Sequence, residues 1–212
     1  MKIGILFDLD GTLLDTLEDL KDSVNYALRH FGCPERSLEE IRSFVGNGAE
    51  RLIRLSLPGE SDDPDALEVL AFFKAYYADH AQIKTCPYDG ILEELAKIRA
   101  KYPVAVVSNK PDIAVKPLCR EYFGDIYALG EAAGCPRKPA PDMLHKAMNA
   151  IGVDSCIYVG DSEVDVITAK NTGVPCLSVL WGFRDRECIE EMGGTHFCED
   201  PGTLLENLEK MM

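Results

Sequence analysis

The apolar positions of this chain fall into two alternating kinds of segment. Short, continuously apolar runs rich in β-branched and aliphatic residues occupy positions 3–7, 104–107, 156–159 and 175–180, with a weaker run at 126–129. Unbroken rather than alternating hydrophobicity is what strands buried on both faces require. Between them, segments 89–101, 111–122, 141–151 and 162–172 carry apolar residues at helical spacing, with Gly152, Gly173 and Pro175 at the joints. This alternation predicts an α/β fold with a Rossmann-like parallel-sheet core and helices on both faces.

One stretch breaks the rhythm. Residues 16–85 hold no buried-strand pattern; helical periodicity recurs instead at 17–30, 38–44, 49–57 and 66–80, with a turn-rich patch at 59–64. The chain therefore divides into an α/β core (1–15 and 86–212) and a helical segment, 16–85, inserted after the first strand.

Composition narrows the possible partners. The 212 residues include 36 acidic and 22 basic side chains, a net charge of −14, so nucleic acid and anionic lipid are disfavoured and no membrane association is expected. An anionic substrate needs a local concentration of positive charge. The 8 cysteines form no Cys-x-x-Cys pair and share no metal-ligand spacing with the 4 histidines. Several sit in apolar runs, as small core residues do, which suits a reducing, cytoplasmic setting. Asp8 ends the first apolar run too early for a signal peptide, and no run approaches the length of a membrane span.

Open parallel sheets bind ligands beyond the carboxyl ends of their strands, so those positions carry the candidate chemistry. The first strand is followed by Asp8-Leu9-Asp10-Gly11-Thr12, the 104–107 strand by Ser108-Asn109-Lys110, and the 156–159 strand by Gly160-Asp161-Ser162-Glu163-Val164-Asp165. Asp8 and Asp10 straddle a turn: one carboxylate can attack an electrophile while the other moves a proton, although Asp-x-Asp-Gly also closes ordinary turns. Asp161 and Asp165 are four apart at a helix start. Together with Asp8 they form an oxygen-rich set suited to Mg²⁺, although acidic residues also favour a helix's first turn. Ser108 and Asn109 read either as an anion cradle or as a plain N-cap. Lys138, before Pro139-Ala140-Pro141, is a stiffly mounted cation.

Taken together, Asp8-Leu9-Asp10-Gly11-Thr12, Ser108-Asn109, Lys138 and Gly160-Asp161-x3-Asp165 resemble, in that order, the motifs of the haloacid dehalogenase-like superfamily. The segments Val45-Gly46-Asn47-Gly48-Ala49, Arg137-Lys138-Pro139-Ala140-Pro141-Asp142 and Trp181-Gly182-Phe183 are most similar to its phosphoglycolate phosphatases. That resemblance implies a helical cap at 16–85 and an Mg²⁺-dependent phosphatase acting on a small phosphorylated metabolite through an aspartyl-phosphate. It implies Asp8 as nucleophile and Asp10 as general acid and base. Lys138 neutralises the phosphoryl group, and Thr12, Ser108 and Asn109 meet the substrate. Asp8, Asp10, Asp161 and Asp165 form the metal set. Gly46, Asn47 and Gly48 are expected at the substrate's far end, with Arg51 or Arg54 supplying charge for a small carboxylate.

Asp10 argues against a dehalogenase, whose related members lack that second carboxylate. A phosphosugar mutase or a pyrophosphatase of the same superfamily remains an alternative. From another class, a phospho-receiver module shares acidic strand ends with a Ser/Thr and a Lys, but has no large insertion after its first strand.

Overall fold

The computed structural model describes residues 1–59 and 66–212, so most of the turn-rich patch expected at 59–64 lies outside the described residues. In chain order the strands are β1 (Ile3–Phe7), β2 (Leu14–Asp15), β3 (Cys86–Pro87), β4 (Val104–Pro111), β5 (Tyr127–Glu131), β6 (Ser155–Gly160), β7 (Cys176–Val179) and β8 (Phe197–Cys198). The helices are α1 (Leu17–His30), α2 (Leu38–Phe44), α3 (Gly48–Ser56), α4 (Ala66–His80), α5 (Ile91–Arg99), α6 (Asp112–Phe123), α7 (Asp142–Ile151), α8 (Glu163–Thr172), α9 (Arg186–Glu191) and α10 (Leu204–Lys210).

Six strands form a wholly parallel sheet in the order β5-β4-β1-β6-β7-β8. Successive residues of a strand point to opposite faces, and both faces are covered. Ile5 and Phe7 of β1 pack with Ile91, Leu95, Val115 and Leu208, from α5, α6 and α10. Leu6 packs on the other side with Met143, Leu144 and Ala147 of α7. This double burial is the physical cause of the unbroken apolar runs. The short edge strand β8 and helices α9 and α10 were not expected, because two- to seven-residue elements carry too few apolar positions to show a period.

The helices α1–α4 bury a cluster of their own around Val24, Leu28, Ile41, Ile53 and Phe73, joined by Ala114 and Phe183 from outside the segment. Both ends of the segment pass through one small antiparallel ribbon, β2 with β3, in which Leu14 faces Pro87 and Asp15 faces Cys86.

Strand β4 runs on to Pro111, with its register against β5 shifting between Val107 and Pro111. Ser108, Asn109 and Lys110 therefore sit on an irregular strand end rather than in the first turn of α6, which begins at Asp112. Among the described residues no helix is long and apolar enough to cross a membrane.

Candidate active site

The carboxyl ends of β1, β4 and β6 meet at the inner side of the helical segment. The cavity there, about 590 Å³ with its open mouth included, is lined by Asp8, Asp10, Ser108, Asn109, Lys110 and Asp161 from below. Gly46, Gly48, Leu52, Phe73 and Tyr77 line it from above.

Asp8 is tied to the sheet by its backbone N–H, which donates to the Val159 carbonyl at 2.8 Å. Its Oδ1 accepts from the Leu9 N–H at 2.7 Å and from Lys138 Nζ at 3.0 Å; Oδ2 has no hydrogen-bond partner among the described residues. Burial outweighs the Lys138 charge, with Asp165 and Asp10 adding repulsion, and the Asp8 carboxyl is pushed up to about 7.

Lys138 is 1% exposed, and its backbone is anchored by two asparagine side chains, Asn109 to its carbonyl at 3.0 Å and Asn171 to the Pro139 carbonyl at 2.8 Å. Its three ammonium protons have three acceptors: Asp8, Asp165 at 2.8 Å and Tyr158 Oη at 2.8 Å. Burial opposes this charge, but the Asp165 and Asp8 carboxylates more than offset it and raise the Lys138 pKa above its usual range.

Asp165 serves three neighbours. Its Oδ2 completes the capping box that starts α8, accepting from Ser162 N at 3.1 Å and Ser162 Oγ at 2.7 Å. Its Oδ1 takes Lys138 and Tyr158. Asp161 is held by Thr12 Oγ1 at 3.3 Å and the Phe183 N–H at 2.8 Å. Gly11, at φ 82°, and Gly182 approach it so closely that a Cβ on either would collide with its carboxylate. Burial, then the charges of Asp165 and Asp8, drives the Asp161 pKa well up.

Carboxylate oxygens of Asp8, Asp161 and Asp165 lie within 4.8 Å of one another, all buried. Among the described residues Lys138 is the single ammonium paired inside this group of three acids, a deficit of positive charge that a small divalent cation with oxygen ligands would correct. The donor set therefore fits such an ion.

Asp10 stands apart from this cluster. Its Oδ1 accepts from Lys110 Nζ at 2.8 Å, and Lys110, 5% exposed, also donates to Tyr77 Oη of α4. Lys110 is thus a buried cation of the site that carried no role in the sequence reading; its place directly after Ser108-Asn109 was the available signal. Ser108 lines the cavity and accepts from the Lys110 N–H at 3.2 Å. Asn109 commits its side-chain amide to the carbonyls of Gly46 at 3.1 Å and Lys138 at 3.0 Å.

Several expected contacts fall elsewhere. Thr12 does not line the cavity and instead steadies Asp161, while its carbonyl accepts from Trp181 Nε1 at 3.0 Å. Gly46 and Gly48 line the cavity, whereas Asn47 does not; it occupies the N-cap of α3. Arg51 and Arg54 do not line it either. Arg51 is exposed and Arg54 pairs with Glu50 at 3.0 Å, because the face of α3 turned to the cavity is the one with Gly48, Ala49 and Leu52. The cations that do line it are Lys110 and Arg184.

Residues 5–179 match the family model of haloacid dehalogenase-like hydrolases. The phosphoglycolate phosphatase of Pseudomonas putida is 32% identical, over 98% of this chain and 78% of its own length. That of Colwellia psychrerythraea is 31% identical, over 97% and 96%. A crystal structure from Lactobacillus delbrueckii subsp. bulgaricus, provisionally described as a phosphoglycolate phosphatase, superimposes with a TM-score of 0.91 at 37% identity, covering 97% of both chains.

Proposed function

We propose that this chain, which belongs to the haloacid dehalogenase-like hydrolases and is a phosphatase of that family, hydrolyses small phosphate monoesters, with 2-phosphoglycolate as its substrate, by way of an aspartyl-phosphate on Asp8. The observation that carries the reading is the Asp8–Lys138–Asp165 arrangement. A nucleophilic carboxylate is fixed through one oxygen by Leu9 and Lys138, and its other oxygen has no partner among the described residues.

Phosphoryl transfer is chiefly a problem of positioning and of stabilising charge. Asp8 Oδ2 attacks phosphorus while Ser108 and the Asn109 backbone N–H hold the phosphoryl oxygens. Lys138, permanently protonated, neutralises the charge that shifts from Asp8 to those oxygens. Asp10 gives a proton to the departing alkoxide, then takes one from the water that cleaves the acyl phosphate. Mg²⁺, held by Asp8, Asp161 and the Asp10 carbonyl with Asp165 alongside, would supply Lewis-acid stabilisation of the phosphoryl oxygens. Segment 16–85 acts as a cap hinged at the β2–β3 ribbon, and its closure keeps bulk water from the acyl phosphate. The 8 unpaired cysteines support a cytoplasmic setting.

The test is release of inorganic phosphate from 2-phosphoglycolate with Mg²⁺, set beside phosphosugars and pyrophosphate. Release that disappears in Asp8→Asn supports the reading. Isomerised phosphosugar without free phosphate indicates a mutase, and preference for pyrophosphate a pyrophosphatase.

A further inference from the structure

Two hydrogen-bonded side chains of the cavity wall, one from the sheet and one from the helical segment, each keep a proton without an acceptor among the described residues. Lys110 Nζ has three protons and, among the described residues, two partners: Asp10 Oδ1 at 2.8 Å and Tyr77 Oη. Because an ammonium only donates, Tyr77 must accept from it, and the hydroxyl's own proton has no acceptor among the described residues. Both side chains line the cavity, at 5% and 2% exposure. Lys110 also lies 4.6 Å from the centre of the Tyr77 ring, so the pair is packed as one unit. The other buried ammonium, Lys138, has spent all three protons on Asp8, Asp165 and Tyr158 and has none for the rest of a substrate.

The position of this pair relative to the chemistry carries the argument, which rests on the role given above to Asp10. The acid that protonates a leaving oxygen touches that oxygen. A cation bonded to the same acid therefore faces whatever group hangs next to the oxygen. In an ester of the type phosphate–O–CH2–carboxylate, the carboxylate is one methylene from the leaving oxygen, within hydrogen-bond reach of that cation.

We propose that Lys110 Nζ and Tyr77 Oη form a two-donor clamp for a carboxylate one carbon from the phosphate ester oxygen, and that this clamp sets the enzyme's preference for acid-bearing over neutral phosphate esters. Because Tyr77 belongs to α4 and Lys110 to β4, the two donors come together only when the helical segment lies against the sheet. A bound carboxylate would therefore also favour closure.

The experiment compares 2-phosphoglycolate with 2-hydroxyethyl phosphate, which replaces the carboxylate by a neutral CH2OH, in wild type, Lys110→Met and the nearly isosteric Tyr77→Phe. The readout is the ratio of kcat/KM for the two esters, in which any common effect on Asp10 cancels. A charge-assisted hydrogen bond lost from a buried site predicts that Lys110→Met lowers the ratio about 10- to 100-fold. Tyr77→Phe should lower it about 3- to 10-fold. Equal losses on both esters, no loss on either, or a wild type without preference for the acid would overturn the clamp. Calorimetric binding of the same two esters gives the ratio without turnover. A wild type that binds the acid selectively but hydrolyses neither ester would sink the phosphatase reading and leave the clamp standing; loss of the binding preference in neither variant would sink the clamp.

Discussion

Arg184 donates from Nη1 to the backbone carbonyl of Arg42 at 2.7 Å, and Arg42 sends its own guanidinium back to the carbonyls of Gly182 and Phe183, both at 2.9 Å. The two arginines sit on opposite sides of the seam between the helical segment and the sheet, each binding main-chain carbonyls on the other's side. Arg184 further takes the Val45 carbonyl at 2.6 Å, at the end of α2, where helical carbonyls lack partners. The Phe183 N–H, in the loop that Arg42 holds, is bonded to Asp161 at 2.8 Å. The seam is thereby joined to the carboxylate cluster by a single residue.

Arg42→Ala and Arg184→Ala should therefore each cost about 1 kcal/mol of stability and raise KM for small esters. In the double variant the losses should be smaller than the sum, since both arginines close one seam. Hydrogen exchange of residues 42–48 checks the structural half: faster exchange is expected in either variant, and unchanged protection would separate the arginines from closure.

Asp10→Asn should lower kcat by about 10²- to 10⁴-fold on alkyl phosphates. The loss should be much smaller on p-nitrophenyl phosphate, whose leaving group departs without a proton. Asp8→Asn should eliminate turnover of both. An Asp10 variant with equal losses on the two leaving groups would refute its role as acid.

Lys138→Met leaves Asp8 and Asp165 buried without their cation. A loss of about 3–5 kcal/mol is expected at pH 8 by urea unfolding. The loss should shrink at pH 5.5, where Asp8, whose pKa is raised to about 7, is already protonated. A pH-independent loss would mean that the lysine contributes through packing alone.

The raised Asp8 pKa also sets how metal and pH act together. In the metal-free protein its folded pKa of about 7 lies above the unfolded 3.8, so its contribution to stability is fully present below about pH 4 and is lost as pH rises through about 7. Mg²⁺ must displace that proton, which by itself weakens its affinity about thirtyfold at pH 5.5 relative to pH 8, and the raised Asp161 carboxyl acts in the same direction. Thermal shift with and without Mg²⁺ checks this: the increase in Tm should be larger at pH 8. Chelation by EDTA should abolish phosphatase activity and added Mg²⁺ restore it.

By itself the sequence determined the sheet, its doubly covered faces and the helical interruption, because burial of an element leaves a period in its own residues. It also determined which residues gather at the cavity floor. In a parallel sheet, carboxyl ends share one edge, so Asp8, Asp10, Ser108 and Asp161 follow from strand ends alone. Tertiary structure alone decided how those residues are paired. Nothing periodic says that Lys138 would meet Asp165 as well as Asp8, that Thr12 would support Asp161, or that Arg42 and Arg184 would each bind carbonyls across the seam. The choice of cavity cation shows the reason most plainly. Arg51 and Arg54 lie next to the glycine loop in sequence, but the rotation of α3 is set by burying Leu52 and Ile53, which turns the two arginines away from the cavity. Lys110 reaches it because β4 continues past Ser108 and carries the lysine under Tyr77. Which side chain enters a cavity depends on how two elements pack together, and each element's own sequence encodes only the face it buries.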